Sequence, residues 1–339
     1  MKKFDNKYND IISIENLLLA WQEFLKGKRK KKDVCEFQLK LMDNIFDLHN
    51  DLKNKTYKHG EYIAFKINDP KPRDIHKASV RDRLLHHAIY RILYPYFDQK
   101  FIYDSYSCRL GKGTHKAINR FRDFSRIVSK NSTRSCLVLK CDIRKFFASI
   151  NHQVLKNILV KYMDDKDTLW LINQIVDSFQ TTYNFTKLTL SRSFGKGLPL
   201  GNLTSQLLVN IYMNEFDQFV KNKLKIKYYI RYADDFVILQ NDKMKLLDNL
   251  DRMKEFLSNE LKLNMHPDKI FIKTLYSGID FLGWVSFPNH RVLRTSTKKR
   301  MFRNLEKCNY KKESVNSYLG MLSHGDGYKL ENLIKICLK

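Results

Sequence analysis

The adjacent carboxylates Asp234-Asp235 constrain this chain more than any other feature. They lie within Tyr228-Tyr229-Ile230-Arg231-Tyr232-Ala233-Asp234-Asp235-Phe236-Val237-Ile238-Leu239. The apolar and β-prone residues on both sides predict a β-hairpin over 227–240 with the acids at its tip. Neighbouring aspartates on a turn repel each other and are hard to desolvate unless a cation sits between them. Two Mg²⁺ ions held by carboxylates serve in-line phosphoryl transfer, so the pair points to nucleotide chemistry. Taken alone, an ordinary Asp-Asp turn explains the segment equally well, because Asp is common in turns.

Charge narrows the partners. Lys and Arg number 62 against 36 Asp and Glu, a formal net charge of +26 spread along the whole chain. A polyanion is the natural counterpart, since a basic groove gains affinity by releasing the counterions of a phosphate backbone. An anionic membrane surface is the competing explanation. No apolar run approaches the roughly 20 residues a spanning helix needs, and no signal-peptide pattern is present. A cytoplasmic protein with no membrane partner is expected. At 339 residues, 43% hydrophobic and 13% aromatic, the chain can bury a core and divide into two or three lobes. Cys35, Cys108, Cys136, Cys141, Cys308 and Cys337 show no CxxC pairing or zinc spacing, so reduced thiols are expected.

Helical spacing marks residues 11–53 in two runs, Ile11 to Leu25 and Phe37 to Leu48. Between them Lys26-Gly27-Lys28-Arg29-Lys30-Lys31-Lys32 reads as a solvated loop that can also touch a nucleic-acid backbone. Residues 61–67 alternate like a strand, and Asp69-Pro70-Lys71-Pro72 reads as a loop. A helix is expected over 80–93, stopped by Pro95. Residues 136–141 read as an apolar strand, 151–163, 204–223 and about 243–261 as helices, 270–287 as a short hairpin, and the last fifty or so residues as basic and mostly helical. A strand ending in an acid, an amphipathic helix and then an acidic hairpin is the order of a small sheet backed by helices, an α+β arrangement.

A third acid, Asp142, ends Leu137-Val138-Leu139-Lys140-Cys141-Asp142 and precedes Ile143-Arg144-Lys145-Phe146-Phe147. A strand-end Asp capping a helix is also common. Asp142 with Phe146-Phe147, then Leu198-Pro199-Leu200-Gly201-Asn202-Leu203-Thr204-Ser205-Gln206, then Tyr232-Ala233-Asp234-Asp235 resemble, in order and spacing, the palm motifs of reverse transcriptases. Upstream, Arg73–Arg83 and Asp104–His115 resemble the fingers blocks of bacterial enzymes related to group II introns. Downstream, Leu263–Lys269 and Gly278–Trp284 resemble the two blocks after the catalytic hairpin. The resemblance runs from about 60 to 290.

It implies a right-hand polymerase. Residues 1–60 would form an N-terminal helical extension and 61–135 the fingers. Residues 136–287 would form the palm, including a fingers/palm insert over 165–203, and 288–339 a short helical thumb with Lys298, Lys299, Arg300 and Arg303 on one basic face. By the same resemblance Asp142, Asp234 and Asp235 are catalytic. Two Mg²⁺ ions, with Mn²⁺ as an alternative, would be held by Asp142, Asp234 and the Ile143 carbonyl, with Asp235 beside them. Phe147 stands at the steric-gate position that selects dNTPs over rNTPs. Were the segment extended, Phe146 and Phe147 would point to opposite faces. Lys66 and Arg73 would grip the triphosphate, Gly201 and Gln206 would line the nascent pair, and Lys269 would donate a proton to pyrophosphate. Phe281, Leu282, Gly283 and Trp284 match the primer grip, although aromatic strands are usually core. Gly111-x-Gly113-Thr114 lacks the spacing of a phosphate loop.

The Gly-Asn-x-Thr-Ser-Gln form at 201–206 resembles the reverse transcriptases of diversity-generating retroelements, whereas most group II intron enzymes carry Gln-Gly followed by Ser-Pro. Tyr-Ala-Asp-Asp departs from the Tyr-Met-Asp-Asp of many such enzymes. Antiphage-defence reverse transcriptases, which make repetitive, untemplated or protein-primed DNA, share similar blocks. The expected partners are an RNA template or structured noncoding RNA, a DNA or RNA primer, dNTPs and an accessory protein that completes the short thumb's clamp. The reading from a different class is a non-catalytic nucleic-acid-binding protein on a polymerase scaffold.

Overall fold

The computed structural model describes residues 3–68, 72–179, 181–182, 192–193 and 195–337. The chain begins with helices α1 (Tyr8–Ile12), α2 (Ile14–Phe24), α3 (Lys32–Leu39) and α4 (Leu41–Lys53), followed by the ribbon β1 (Ile63–Ile67) and β2 (Arg73–Lys77). Then come α5 (Val80–Asp98), α6 (Thr114–Val128), β3 (Leu137–Asp142), α7 (Phe146–Ser149), α8 (His152–Tyr162), α9 (Lys166–Asp177), β4 (Thr181–Thr182) and β5 (Arg192–Ser193). The remainder runs α10 (Leu203–Gln218), β6 (Tyr229–Tyr232), β7 (Asp235–Gln240), α11 (Lys243–Asn259), β8 (Phe271–Thr274), β9 (Ile279–Phe281), β10 (Trp284–Ser286), β11 (Arg291–Leu293), α12 (Thr295–Lys307), α13 (Lys312–Leu322) and α14 (Tyr328–Ile336).

These elements divide into two compact units interleaved along the chain. The first takes the chain up to Tyr103, Arg144–Phe219 and Lys254–Asn264. The second takes Asp104–Ile143, Val220–Met253 and the chain from Met265, the division falling inside α11.

The first unit is helical around α5, which packs against α2 and α10. Its helices start where short polar side chains satisfy free amides: Ser13 accepts from Asn16, Ser79 from Asp82, Asn151 from Val154 and Asp165 from Thr168. The two expected helical runs over 11–53 divide into four helices. α5 does not stop before Pro95 but continues to Asp98. Proline removes one amide donor, yet Leu93, Tyr94 and Phe97 are all buried, and that apolar contact outweighs one lost hydrogen bond. α10 ends at Gln218 in a π-helical turn, Phe219–Lys223, instead of running to 223. The loop expected over 69–72 lies outside the described residues except for Pro72, and the insert expected over 165–203 lies partly outside them.

The second unit holds an antiparallel sheet in the order β6-β7-β3-β8 and a second sheet in the order β11-β10-β9. The expected hairpin over 270–287 is therefore two things. Phe271–Thr274 joins the first sheet as the neighbour of β3, and only Ile279–Ser286 forms a hairpin, extended by β11. A turn at Leu275–Ser277 followed by Gly278 at φ +78° separates them; a Cβ there would come within 2.8 Å of the Phe287 ring. In the first sheet, side chains alternate between faces. Val138, Ile230, Val237 and Leu239 share one core with Ala117, Ile118, Phe121 and Phe124 of α6, and the same core takes in Phe281, Trp284, Met301 and Leu305.

A buried polar network in the first unit ties α5 to the start of α10. His86, 2% exposed, has Nδ1 2.6 Å from Thr204 Oγ1 and Nε2 3.3 Å from His59 Nε2. Tyr57 and Ser79 donate to Asp82 of the same network at 2.7 and 2.6 Å. Burial, then His59, pushes the His86 imidazole down to about 3, against the pull of Asp82. Between pH 6.5 and 3 the unfolded chain therefore binds a proton at His86 that the folded chain does not, so this contribution is complete above pH 6.5 and is lost as pH falls. Urea unfolding at pH 7 and pH 4 should show wild type losing about 3 kcal/mol more than His86→Gln over that interval, at 1.36 kcal/mol per unit. Equal losses would mean that His86 is not held neutral.

Candidate active site

The acids are brought together by strand register. Asp142, the last residue of β3, pairs across the sheet with Asp235, the first of β7, and Tyr232 of β6 pairs with Asp235 from the other side. Asp234 sits in the two-residue turn between β6 and β7, its carbonyl accepting from the Ile143 amide at 3.2 Å. The Asp142 carbonyl accepts from the His266 amide at 2.7 Å, and Ile143 bridges to Met265. All three expected acids and Ile143 therefore meet at one end of one sheet.

The turn is forced into shape by a buried cation. Ala233 has φ +55°, a conformation seldom adopted by residues with a side chain. Its carbonyl accepts from the Arg231 guanidinium at 3.1 Å, and the same guanidinium donates to Ser105 Oγ at 3.1 Å. Arg231 is completely buried. The segment around Ser105 is itself pinned to β6, with the Arg231 amide donating to the Asp104 carbonyl and the Tyr106 amide to the Arg231 carbonyl, at 3.0 and 2.9 Å. The block Asp104–His115 thus works as a brace for the acidic turn within the second unit.

Two lysines partner the acids. Lys269 Nζ lies 2.9 Å from Asp142 Oδ1. Lys140 Nζ lies 3.2 Å from Asp235 Oδ2 and donates to the Asp280 carbonyl of β9 at 2.9 Å. Burial raises the Asp235 carboxyl to about 7, against the Lys140 ammonium, with Asp142 and Asp234 adding to the rise. Asp235 Oδ1 is buried without a hydrogen-bond partner. Among the described residues no three His, Cys, Asp or Glu side chains are arranged so that they alone could hold a metal ion. An oxygen-only set of carboxylates and carbonyls with one orphaned oxygen nevertheless suits Mg²⁺, which typically takes one or two carboxylates and completes its octahedron with substrate phosphates and water.

Lys140 was not singled out from the sequence, although a signal existed. It interrupts an apolar strand two residues before Asp142, and period-two alternation puts both on one face. Arg231 gave a similar signal, as a charge inside a hairpin of apolar residues.

The expected primer-grip residues separate. Phe281 and Trp284 are 1% and 2% exposed and belong to the core. Leu282 and Gly283, at φ +52° and +86°, form the tight turn between β9 and β10. Leu282, Gly283 and Trp284 line a cavity of about 420 Å³ together with Lys140, Asp235 and Arg300.

The expected nucleotide-binding residues fall in different places. In the first unit Lys66 and Phe147 line a cavity of about 310 Å³ with Phe65, His76, Leu198 and Leu200. Phe146-Phe147 is not extended: it opens the helical turn α7, in which Phe146 is buried and Phe147 is half-buried. Their rings meet edge to face at 5.5 Å. The Phe147 carbonyl accepts from Leu198 at 2.9 Å and Leu200 from His76 at 3.3 Å, which fixes this pocket's walls. Arg73 is exposed and lines none of these cavities. Gly201, at φ +110° and with space for a Cβ only 3.3 Å from Ile75, lines a separate cavity with Gln206. Lys269 stands on Asp142 in the second unit.

Comparison with known proteins follows the same outline. A family model described as reverse transcriptase (RNA-dependent DNA polymerase) matches residues 65–286. Protein YkfC of Escherichia coli is 24% identical over 260 residues, 67% of this chain and 65% of that protein. Group II intron-encoded protein LtrA of Lactococcus lactis subsp. cremoris is 23% identical over 302 residues, 70% of this chain and 47% of that protein. The matched segments thus fall short of two thirds of either relative. The structure of apo telomerase from Candida tropicalis superposes with a TM-score of 0.51 at 12% identity, covering 68% of this chain and 48% of that one, a likeness of fold. Among the described residues no helix is long and apolar enough to cross a membrane.

The Lys140–Asp235 pair is a direct test of the site's electrostatics. At pH 9, where the Asp235 carboxyl is ionised in the wild type, Lys140→Met should cost about 2–4 kcal/mol in denaturant unfolding, because the buried acid loses its counter-charge and must take up a proton. Adding Asp235→Asn should recover most of that loss in a double-mutant cycle. A single variant as stable as wild type would show the pair to be idle.

Proposed function

This chain belongs to the reverse transcriptase (RNA-dependent DNA polymerase) family, and from that membership we propose that it makes DNA on an RNA template. The observation that carries the reading is the register of β3 on β7, which sets Asp142 opposite Asp235 with Asp234 in the adjoining turn. Asp142, Asp234 and the Ile143 carbonyl would hold two Mg²⁺ ions, Asp235 standing beside them. Bound there, the ions (Mg²⁺, or Mn²⁺ in its place) supply Lewis acidity for in-line phosphoryl transfer and counter-charge for pyrophosphate.

The chain's own groups do the rest. Lys269, whose ammonium lies on Asp142, would donate a proton to the leaving pyrophosphate. Lys140 keeps Asp235 oriented. Lys66 and Arg73 neutralise the incoming triphosphate, Gly201 and Gln206 line the nascent pair, and Leu282-Gly283 support the primer end. Phe147, at the family's steric-gate position, would exclude a ribose 2′-hydroxyl. In this reading 1–60 is an N-terminal extension, 61–135 fingers, 136–287 palm with its insert at 165–203, and 288–339 thumb. A non-catalytic binding protein is the weaker alternative, since phosphate binding alone gives no reason to place three acids together.

The lineage is related to group II introns, as the likeness to LtrA supports. Within it, Gly201-Asn202-Leu203-Thr204-Ser205-Gln206 favours a diversity-generating retroelement enzyme in the cytoplasm, with an RNA template and an accessory protein as partners. Ala233, in place of methionine, departs from that pattern, and the second reading is an antiphage-defence enzyme with a noncoding RNA partner. Sequencing the DNA product separates them: template-derived cDNA belongs to the first, repetitive or untemplated DNA to the second.

Asp234→Asn should abolish dNTP incorporation on a primed RNA while leaving RNA binding intact; surviving incorporation would overturn the metal-site assignment. Phe147→Ala should raise rNTP relative to dNTP incorporation by about tenfold or more, a barrier change of about 1.4 kcal/mol. An unchanged ratio would remove Phe147 from sugar selection.

A further inference from the structure

The cavity behind Gly201 in the first unit has a composition that nucleotide pairing does not explain. It measures about 260 Å³ and is lined by Lys28, Arg83, His87, Asn202 and Gln206 over the ring of Phe24. Lys28 is the one basic residue of the run Lys26–Lys32 that is not fully exposed. Its ammonium lies 4.7 Å from the Phe24 ring centre and donates to the Phe24 carbonyl at 3.0 Å, with no carboxylate partner among the described residues. The Arg83 guanidinium lies 5.1 Å from the same ring and is held by Asp33 at 2.6 Å. His87 meets the ring edge to face at 5.6 Å, its Nδ1 buried and unpartnered. Three basic side chains therefore crowd one ring with one carboxylate between them.

The amino end of α10 closes the cavity. α10 spans sixteen residues, and its cap residue Asn202 makes no capping hydrogen bond. Asn202 is 3% exposed, and its Nδ2 donor is buried without a partner. A buried amide N–H left unpaired costs free energy that a bound acceptor would return. Uncapped amides at the start of a long helix and a partial positive charge there add to the same preference. The basic groups repel one another: burial, then Lys28 and Arg83, holds the His87 imidazole down to about 4, and burial, then Arg83, lowers Lys28. An anion would relieve that repulsion, satisfy Asn202 and cap α10 in one step.

We propose that this cavity is a phosphate-binding site, in which Lys28, Arg83, His87, Asn202 and the amino end of α10 take a phosphate group from a nucleic-acid backbone or from a free polyphosphate. The assignment goes beyond the polymerase reading and does not need it, since nothing in the cavity does chemistry. It gives the basic turn at 26–32 a task at one residue and leaves its exposed neighbours as general surface charge.

The test uses the full chain with a labelled single-stranded RNA and, separately, with inorganic tripolyphosphate. If a backbone phosphate occupies the cavity, Lys28→Gln reduces the slope of log affinity against log salt by about 0.7, the value of one contact on a single strand. Lys30→Gln, exposed on the same turn, keeps the wild-type slope. If a free polyphosphate is the ligand, tripolyphosphate raises the melting temperature of wild type and of Lys30→Gln but not of Lys28→Gln, with RNA slopes alike. Either result supports the site. Unchanged behaviour of Lys28→Gln in both arms overturns it, as does an equal fall in slope for both lysine variants, which would mark a diffuse charged surface. Neither readout requires turnover, so a failure here leaves the polymerase reading standing, and the loss of that reading leaves this one open to the same test.

Discussion

Holding three carboxylates at one sheet end without letting them drive it apart is the constraint around which the second unit is organised. Register answers the geometric half, because a one-residue slip of β3 on β7 would turn Val138, or Val237 and Leu239, away from the α6 face. That register places Asp142 and Asp235 side by side. Lysines answer the electrostatic half, one on each of those two acids. Lys140 also reaches the Asp280 carbonyl, so the strand bearing an acid and the hairpin Ile279–Ser286 are fastened through one ammonium. The arrangement leaves one carboxylate oxygen of Asp235 unmatched, and a cation-binding centre needs such an oxygen.

The first unit solves a different problem, the opposite one in sign. Around Phe24 it gathers basic groups and an uncapped helix start, and around Phe147 it builds a pocket whose walls are stitched by backbone hydrogen bonds from Leu198 and His76. Both depend on α5 and α10 being fixed to each other, which the His86–Thr204 contact does from inside the core. The residues that line these two cavities therefore stand on packed helices and a short ribbon, a support that favours fixed geometry.

Much of this was legible in the residues. Alternation of apolar residues around Asp234-Asp235 marks the hairpin within two residues at its start, and helical spacing marks α5 and α8 because each buries one face, while α10 is buried nearly all round. The misreadings share a cause. Pro95 reads locally as a stop, but tertiary burial of Tyr94 and Phe97 overrides the local rule. Residues 270–287 read as one hairpin because strand partners far apart in the chain leave no local mark: β8 belongs to β3, more than a hundred residues earlier. Phe146-Phe147 reads equally well as strand or helical turn when only two positions are compared. The buried roles of Lys140 and Arg231 depend on what surrounds them, although a charge inside an apolar strand is a visible anomaly. Asn202 carried no sequence signal, since an unmade capping bond exists only in three dimensions.

The brace on Ala233 has a consequence for how the molecule assembles. Arg231 can hold the strained turn only when Ser105 is docked, and the two are separated by 126 positions in sequence. Closing so long a loop costs chain entropy before the contact repays it. The acidic hairpin can zip locally at its own pace, but its tip reaches working shape only after the chain has wound back on itself. The acidic turn thus owes its shape to a contact far away in sequence, whereas the two strands that carry it are chain neighbours.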